Sequence, residues 1–246
     1  MQEAFLVTGA SKGIGRSIAL AIANSGHAVI ALARESSELN DIILKLKSLN
    51  SQSIAIPCDL GNSSDIIQAS KIISENFEHL SGIIHNAGTI HPIANMMDVE
   101  RSEWERSIQV NLIGVQDLTN RLDPFLGGDK HSRITTISSG AAKRSLHGWS
   151  AYCVAKAGLD MWAMCMAEEG EKGNISALAI APGIVDTEMQ NDIRNANQSS
   201  FPSLPNFIDY HKNGDLTNPD DVAQKLLPYC LGISGENGQR LDVRNL

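Results

Sequence analysis

Two residues in the middle of the chain have the types and the spacing of an acid–base pair. Tyr152 and Lys156 lie four positions apart, so a helix would place both side chains on one face. An ammonium about 4 Å from a phenol, at an effective dielectric constant near 20, contributes about 4 kcal/mol, enough to bring the phenol pKa from about 10 to about 7. Ser139 and Asn111 add two polar groups that we expect at the same edge of the fold. These four residues form the candidate catalytic set.

A glycine-rich segment near the start of the chain is typical of a dinucleotide-binding turn. It follows the apolar run Phe5-Leu6-Val7 directly and leads into a helical pattern from about Ile14 to Asn24. Glycines allow a tight turn and a close approach of backbone to a pyrophosphate, and the N–H groups at a helix N-terminus bind phosphate. The predicted cofactor-binding residues of this turn are Gly9, Ser11, Lys12, Gly13, Ile14 and Gly15.

Residues after the second and third apolar runs favour NADP(H) as the dinucleotide. The second run ends at Ala33-Arg34, where proteins that bind NAD carry a carboxylate for the ribose 2′-hydroxyl. Arg34 and Lys12 would instead offer two cations to a 2′-phosphate. Asp59 is a candidate acceptor for the adenine amine, and the segment Asn86-Ala87-Gly88 is expected to line the adenosine side of the cleft.

Length and composition exclude several classes of protein. The 246 residues carry 20 Lys plus Arg and 28 Asp plus Glu, a net charge of −8, which argues against a broad nucleic-acid or anionic-membrane surface. With 42% hydrophobic residues the chain can bury a large core, so global disorder is excluded. No stretch approaches the roughly 18 apolar residues of a membrane span. Four scattered cysteines without a CxxC pair predict reduced thiols in a cytoplasmic protein and no metal site.

Short apolar runs alternate with segments of helical period along the whole chain. The runs occupy residues 5–7, 28–32, 53–56, 82–84, 133–137, 175–180 and 240–243. Continuous apolar strands between helices indicate a parallel sheet that is covered on both faces and joined by right-handed crossovers. We therefore predict a single α/β domain over residues 1–246, a doubly wound (Rossmann) parallel sheet of about seven strands with helices on both faces. Its ligands would lie beyond the carboxyl ends of the strands.

One segment, about residues 187–215, interrupts this alternation. It is polar, contains Pro202 and Pro205, and holds Phe201 and Phe207 as isolated aromatic residues. A segment this long without clear periodicity is typical of a lid or binding loop, and a packed surface excursion is the alternative. We predict a substrate lid over this segment.

Taken together, these features resemble the short-chain dehydrogenase/reductase family over essentially the whole chain. The glycine-rich turn, the segment Asn86-Ala-Gly88, Asn111, Ser139 and the pair Tyr152-x-x-x-Lys156 agree with that family in order and spacing. His85 departs from it, because the family often has asparagine there. The resemblance completes the predicted cofactor-binding residues with Tyr152, Lys156, Pro182, Gly183, Val185 and Thr187.

The resemblance also implies a role for each catalytic residue. Tyr152 would be the general acid in carbonyl reduction and the general base in the reverse reaction. Ser139 would hydrogen-bond the reacting oxygen, and Asn111 would support Lys156 through a water. Lys156 would hold the nicotinamide ribose and lower the pKa of Tyr152. NADP(H) would carry the hydride.

The residues around this set are similar to the sepiapterin reductase and benzil reductase branch of the family. The similar stretches are residues 148–153 and 181–190, above all the run Asp186-Thr-x-Met-Gln190. The resemblance implies reduction of a vicinal diketone or a pterin side-chain ketone with NADPH. Trp149, Met189 and Asp242 are the predicted substrate contacts, the last because it matches a carboxylate that anchors a pterin ring. Lid packing is the alternative for Trp149 and Met189, and an aspartate like Asp242 also occurs in relatives that bind no pterin.

Two other functions remain open at this point. A reductase for another carbonyl compound, such as a 3-oxoacyl thioester or a sugar, would use the same catalytic residues, although residues 187–215 offer few cations for an acyl carrier. A protein that senses NADP(H) without turnover would typically lack Tyr152 or Lys156. Relatives are commonly homodimers or homotetramers. The apolar residues that could serve such an interface, or equally belong to the core, are Met161, Trp162, Met164 and Met166.

Overall fold

The fold is built on one parallel sheet that organises residues 4–246, the part of the chain that this computed structural model describes. Within those residues the strands run side by side in the order β3-β2-β1-β4-β5-β6-β7, and each neighbouring pair is parallel. The arrangement confirms the predicted doubly wound α/β fold. The strands are β1 (Ala4–Thr8), β2 (Ala28–Ala33), β3 (Ile54–Pro57), β4 (Leu80–His85), β5 (Ser132–Ile137), β6 (Ile175–Ala181) and β7 (Arg240–Asp242).

Helices cover both faces of this sheet. Residues of α1, α2 and α9 form the core on one face, and residues of α3, α5 and α6 form it on the other. No helix within residues 4–246 is long and apolar enough to cross a membrane. The helices are α1 (Gly13–Asn24), α2 (Ser37–Leu49), α3 (Ser63–Asn76), α4 (Arg101–Ile108), α5 (Gly114–Leu122), α6 (Ser150–Gly170), α7 (Glu188–Arg194), α8 (Leu204–Lys212) and α9 (Pro219–Cys230).

Strand β1 is apolar from Ala4 to Val7, with no alternation of polar and apolar residues, because both of its faces are buried. Phe5 and Val7 of β1 pack into the core beside α1, whereas Ala4 and Leu6 pack into the core on the opposite face. A strand buried on both faces favours apolar side chains at every position, so the run from Ala4 to Val7 is continuous.

Side-chain caps mark the starts of several helices, but not the start of α1. Ser36 accepts a hydrogen bond from the backbone N–H of Leu39 at the start of α2, 3.2 Å away, and Asn218 does the same for α9. Lys12, which precedes α1, makes no such side-chain cap. The first backbone N–H groups of α1 are thus not taken by a cap, which is the arrangement that a phosphate site needs.

The helical segment before β5 is divided into two helices by a wider turn. Between α4 and α5 the residues Gln109–Ile113 form a π-helical turn, and Asn111 lies at its centre. A π turn widens the helix locally and is frequent at functional sites. It turns the side chain of Asn111 toward the segment that follows β4, as the contacts described below show.

The segment predicted as an irregular lid contains two short helices, α7 and α8. Seven and nine residues are too few for a helical period to stand out in a polar segment. Phe201, Leu204 and Phe207 are buried in a cluster with Trp149, so this segment is packed against the domain by its own aromatic side chains.

Candidate active site

A cleft of about 760 Å³ lies at the carboxyl ends of the central strands. The glycine-rich turn, the ends of β2 and β3, and residues 86–92 after β4 line it on one side. Tyr152 and Lys156 of α6 and the start of α7 line it on the other. The volume falls in the range of small-molecule and cofactor sites.

The glycine-rich turn is shaped by conformations and contacts that exclude a side chain. Gly9 and Gly13 have φ values of +65° and +55°, the left-handed region that favours glycine. A Cβ atom on Gly15 would lie 2.3 Å from the carbonyl oxygen of Gly9 and from Nδ2 of Asn86. The turn therefore leaves backbone, rather than side chains, facing the cleft, which fits the close approach of a pyrophosphate.

Hydrogen bonds hold the turn after β1 against the turn after β4. The backbone N–H groups of Asn86 and Ala87 both donate to Oγ1 of Thr8 at 3.0 Å. The side-chain amide of Asn86 donates to the carbonyl oxygen of Thr8 at 2.9 Å. These bonds join the predicted adenosine segment and the predicted phosphate turn into one rim of the cleft. Gly88, the next residue along the chain, also lines the cleft.

Asp59 lies in the cleft at the end where the adenine was predicted. Its carboxylate accepts the backbone N–H of Gly61 at 2.8 Å and forms an ion pair with Arg106 of α4. Partial burial works to raise the pKa of Asp59, but the Gly61 N–H and the Arg106 guanidinium outweigh it and hold the pKa below its usual value. Asp59 is therefore a fixed, charged acceptor.

The two predicted cations both line the cleft, but in different settings. Arg34 is exposed at the end of β2. Lys12 is half exposed and forms an ion pair with Glu188, the first residue of α7. Among residues 4–246, Arg34 makes no ion pair that would compete with a phosphate at this rim. Lys12 would interact with both the phosphate and Glu188.

Tyr152 and Lys156 lie on one face of α6, as their spacing predicts. Both side chains are buried, with 6% and 3% of their surface exposed. The ammonium of Lys156 donates to the carbonyl oxygen of Ile137 at 2.8 Å and lies 5.8 Å from the ring centre of Tyr152. Burying an ammonium is costly without such a partner, so this bond fixes α6 against the end of β5.

Asn111 reaches the same place from the π-helical turn. Its side chain accepts the backbone N–H of Thr89 at 3.1 Å and donates to the carbonyl oxygen of Thr89 at 2.9 Å. A Cβ atom on Gly88 would lie 2.7 Å from Oδ1 of Asn111 and 3.6 Å from Nζ of Lys156, so these two groups flank one glycine. The bonds to Thr89 fix the side chain of Asn111 beside Lys156, and support of Lys156 by Asn111 through a water stays a prediction.

Ser139 follows the end of β5 and begins a short 3-10 turn. Its hydroxyl oxygen accepts the backbone N–H of Ala141 at 3.1 Å. That bond leaves the hydroxyl proton free to point elsewhere, because a hydroxyl both donates and accepts. The hydroxyl also lies close enough to Tyr152 to act on the pKa of the phenol.

Burial is the largest influence on the pKa of the Tyr152 phenol. Burial raises the pKa of the phenol to about 12, and the hydroxyl of Ser139 opposes this only in part. Burial lowers the pKa of the Lys156 ammonium to about 8, although the nearby carboxylate of Asp160 acts to raise it. The lowering of the Tyr152 pKa by Lys156 stays a prediction. At neutral pH Tyr152 is the protonated phenol, the form that can donate a proton.

The three predicted substrate contacts lie in different surroundings. Met189 lines the cleft. Trp149 does not; it stacks on Phe201 with ring centres 5.0 Å apart and meets the edge of Tyr152 at 5.7 Å, so it supports the phenol from behind. Asp242 is also away from the cleft lining, and Arg244 donates to both of its carboxylate oxygens, at 2.8 and 2.6 Å.

The connection from β6 to α7 brings the remaining predicted residues to the cleft. Pro182 and Thr187 line it. Gly183, with φ of +81°, and the buried Val185 lie between them. These residues form the backbone of that wall.

Several lining residues escaped the sequence analysis. Arg106 comes from α4 and Glu188 from α7, and His91 and Asp192 face each other near the mouth at 3.6 Å. Each pair joins residues far apart in the chain. One sequence carries no signal for such contacts.

Comparison with known proteins decides the family. Residues 3–198 match the family described as short chain dehydrogenase. The chain belongs to the short-chain dehydrogenase/reductase family. It is therefore an oxidoreductase of that family by descent, and the order of its motifs agrees with the resemblance seen in the sequence.

Two relatives indicate where in the family the chain lies. It is 34% identical over 252 aligned positions to a benzil reductase ((S)-benzoin forming) of Bacillus subtilis, and the alignment covers 98% of both chains. It is 28% identical over 239 positions to an NADPH-dependent pterin aldehyde reductase of Arabidopsis thaliana, and this alignment covers 97% of this chain and 92% of the relative.

Solved structures of family members share the fold. A short chain dehydrogenase/reductase of Saccharomyces cerevisiae superposes with a TM-score of 0.88 at 28% identity, over 98% of this chain and 96% of that one. A protein of Escherichia coli CFT073 assigned to the short chain dehydrogenases, solved with NADPH, has a TM-score of 0.81 at 26% identity, over 98% and 96% of the two chains.

Replacing Gly15 with alanine should damage the glycine-rich turn, because the new Cβ atom would collide with the backbone of Gly9. We expect Gly15→Ala to lose about 1–3 kcal/mol of unfolding free energy, the usual cost of overpacking, and to bind NADPH more weakly. Gly173→Ala is the matched control, since the nearest atom would lie 3.9 Å from its Cβ. Urea unfolding and NADPH fluorescence measure both effects, and equal behaviour of the two variants would contradict this view of the turn.

Proposed function

We propose that this protein is an NADPH-dependent carbonyl reductase that transfers a hydride to a ketone, with Tyr152 as the general acid. The observation that carries the proposal is a buried, protonated phenol next to a buried ammonium in a cleft lined by a glycine-rich turn. The preferred substrates are a vicinal diketone such as benzil or a pterin side-chain ketone, which the names of the relatives support.

The protein's own groups account for the proton that reduction requires. NADPH supplies the hydride to the carbonyl carbon when it is bound. Tyr152 donates its proton to the carbonyl oxygen as negative charge develops there, and Ser139 donates a hydrogen bond to the same oxygen. Lys156 uses one of its three N–H donors on Ile137, so two remain for the hydroxyls of the nicotinamide ribose.

The residues of the cleft fit NADP(H) from end to end. The uncapped start of α1 and the backbone of Gly9 and Gly13 would hold the pyrophosphate. Arg34, with Lys12, would bind the 2′-phosphate, and Asp59 would accept the adenine amine. Asn86, Ala87 and Gly88 would lie along the adenosine, as predicted.

The substrate end of the cleft favours a diketone over the alternatives. Ile90 and Met189 give apolar surface beside Tyr152. Glu188 and Asp192 of α7 are acidic residues of the cleft lining, and Glu188 is paired with Lys12, so this wall offers little positive charge to an acidic acyl carrier. Asp242 is engaged by Arg244, so anchoring of a pterin would require that ion pair to open.

We also propose a homo-oligomer in the cytoplasm. Ile113, Val154, Met161 and Met164 expose about half of their apolar surface, 48–58%, on the side of the domain formed by α5 and α6. Trp162 and Met166 instead pack against the core. An exposed apolar face of this kind is typical of an interface between subunits.

NADPH consumption with a panel of carbonyl compounds tests the function directly. We expect oxidation of NADPH with benzil and with a small 1,2-dione, slower oxidation with sepiapterin, and little with an acetoacetyl thioester. The absorbance of NADPH at 340 nm is the readout. Consumption of NADPH with none of these compounds would favour a protein that senses the dinucleotide, and preference for the thioester would favour the other reductase class.

The cofactor preference should depend on Arg34. We expect a lower Michaelis constant for NADPH than for NADH, and Arg34→Ala should raise the constant for NADPH about tenfold, because a charge-assisted hydrogen bond contributes about 1.5–3 kcal/mol. The constant for NADH should not change. Lys45→Ala on α2 is the control, since Lys45 lies outside the cleft lining. A preference of the wild type for NADH would refute the assignment.

Tyr152→Phe should abolish turnover while NADPH binding stays nearly intact. Loss of a general acid costs about a hundredfold to ten-thousandfold in rate, and the phenyl ring keeps its packing against Trp149. Tyr229→Phe on α9 is the matched control and should keep wild-type activity. Substantial residual reduction of benzil by Tyr152→Phe would remove Tyr152 from the acid role.

A further inference from the structure

We propose that Arg240 is a positioning residue of the active site: it holds the backbone of Ser139 in place, and Asp160 holds Arg240. The inference rests on the proposed role of Ser139 beside Tyr152. No local motif marks Arg240, which begins the last strand of the sheet some hundred residues after Ser139.

The guanidinium of Arg240 bridges two elements of the site. Its Nε atom donates to the carboxylate of Asp160 on α6 at 2.7 Å. Its Nη2 atom donates to the backbone carbonyl of Ser139 at 3.0 Å. A planar guanidinium that serves two acceptors fixes their relative positions, which a flexible ammonium does not. Arg240 thus joins the end of β5, the catalytic helix α6 and strand β7.

The ion pair of Arg240 with Asp160 is mostly buried, whereas the nearby pair of Arg244 with Asp242 is more exposed. The side chains of Arg240 and Asp160 are 17% and 13% exposed, whereas Arg244 is 65% exposed. Exposed pairs contribute little, but breaking a buried pair leaves an uncompensated charge and is strongly unfavourable. The position of Arg240 is therefore held firmly, and through it the carbonyl of Ser139.

The carbonyl of Ser139 in turn sets the direction of its hydroxyl. The same carbonyl accepts the backbone N–H of Ala142 at 3.1 Å, and the hydroxyl accepts the N–H of Ala141 at 3.1 Å. Both bonds belong to the 3-10 turn Gly140–Ala142. If the carbonyl of Ser139 moves, this turn moves with it, and the hydroxyl no longer points to the oxygen that Tyr152 protonates.

Asp160 extends the arrangement to the other catalytic residues. Tyr152, Lys156 and Asp160 follow one another at intervals of four residues, so they share one face of α6. Oδ2 of Asp160 accepts from Arg240, and Oδ1 has no hydrogen-bond partner among residues 4–246. The carboxylate therefore acts on both sides, on Arg240 by contact and on the Lys156 ammonium through space.

The test compares Arg240→Met with Arg240→Lys in the full-length protein. We expect Arg240→Met to lower kcat for benzil about tenfold to a hundredfold, the cost of a small misplacement at a reacting centre. The Michaelis constant for benzil and the Kd for NADPH should not change. Arg240→Lys should recover part of the rate, because it restores the charge beside Asp160. Arg121→Met, which removes a half-buried ion pair of α5, is the control and should keep the wild-type kcat.

Hydrogen–deuterium exchange supplies a readout that does not depend on turnover. The peptide that covers residues 138–143 should exchange faster in Arg240→Met than in the wild type or in Arg121→Met. An unchanged kcat, or a lower kcat with unchanged exchange in this peptide, overturns the proposal. If Arg240→Met does not fold, the same two measurements on Arg240→Lys decide. A wild type that reduces no carbonyl compound contradicts the proposed function, whereas the exchange result still judges the role of Arg240.

Discussion

The buried ammonium of Lys156 is the interaction around which the candidate site is built. A charge removed from water must be hydrogen-bonded, and the carbonyl of Ile137 satisfies that need at the end of β5. The bond fixes the register of α6 on the sheet, so Tyr152, one turn earlier, is fixed as well. Burial then separates the pKa values of the two groups, to about 12 for Tyr152 and about 8 for Lys156. At neutral pH the phenol keeps its proton and the ammonium keeps its charge.

The rest of the fold buries Tyr152 and Lys156 and places the cleft beside them. The aromatic cluster of Trp149, Phe201 and Phe207 packs with Tyr152 on the side of Trp149, and Tyr152 also lines the cleft. On the open side, glycines of the turn after β1 and Gly88 after β4 bring backbone to the rim of the cleft. Each strand contributes its last residues to one edge, because parallel strands all end there. A buried phenol, a buried ammonium and a glycine-rich turn thus meet at one end of the sheet.

Local patterns carried the features that sequence analysis predicted. Apolar runs such as that of β1 and the glycines at positions 9, 13 and 15 reflect demands within a few residues, so one sequence reveals them. The features that it missed depend on distant segments. Phe201 stacks on Trp149 behind Tyr152 from about fifty residues away, and Arg240 donates to the backbone carbonyl of Ser139 from about a hundred residues away. The helices α7 and α8 are too short to show a period.

The account stands on a proton passing from Tyr152 to the oxygen of a ketone that receives a hydride. A crystal structure with NADPH and benzil bound measures this geometry most directly. The account predicts the phenol oxygen of Tyr152 about 2.6–3.2 Å from a benzil oxygen. It also predicts C4 of the nicotinamide about 3–3.5 Å from the carbon of that carbonyl. A phenol turned toward Trp149, with another donor on the benzil oxygen, would contradict it.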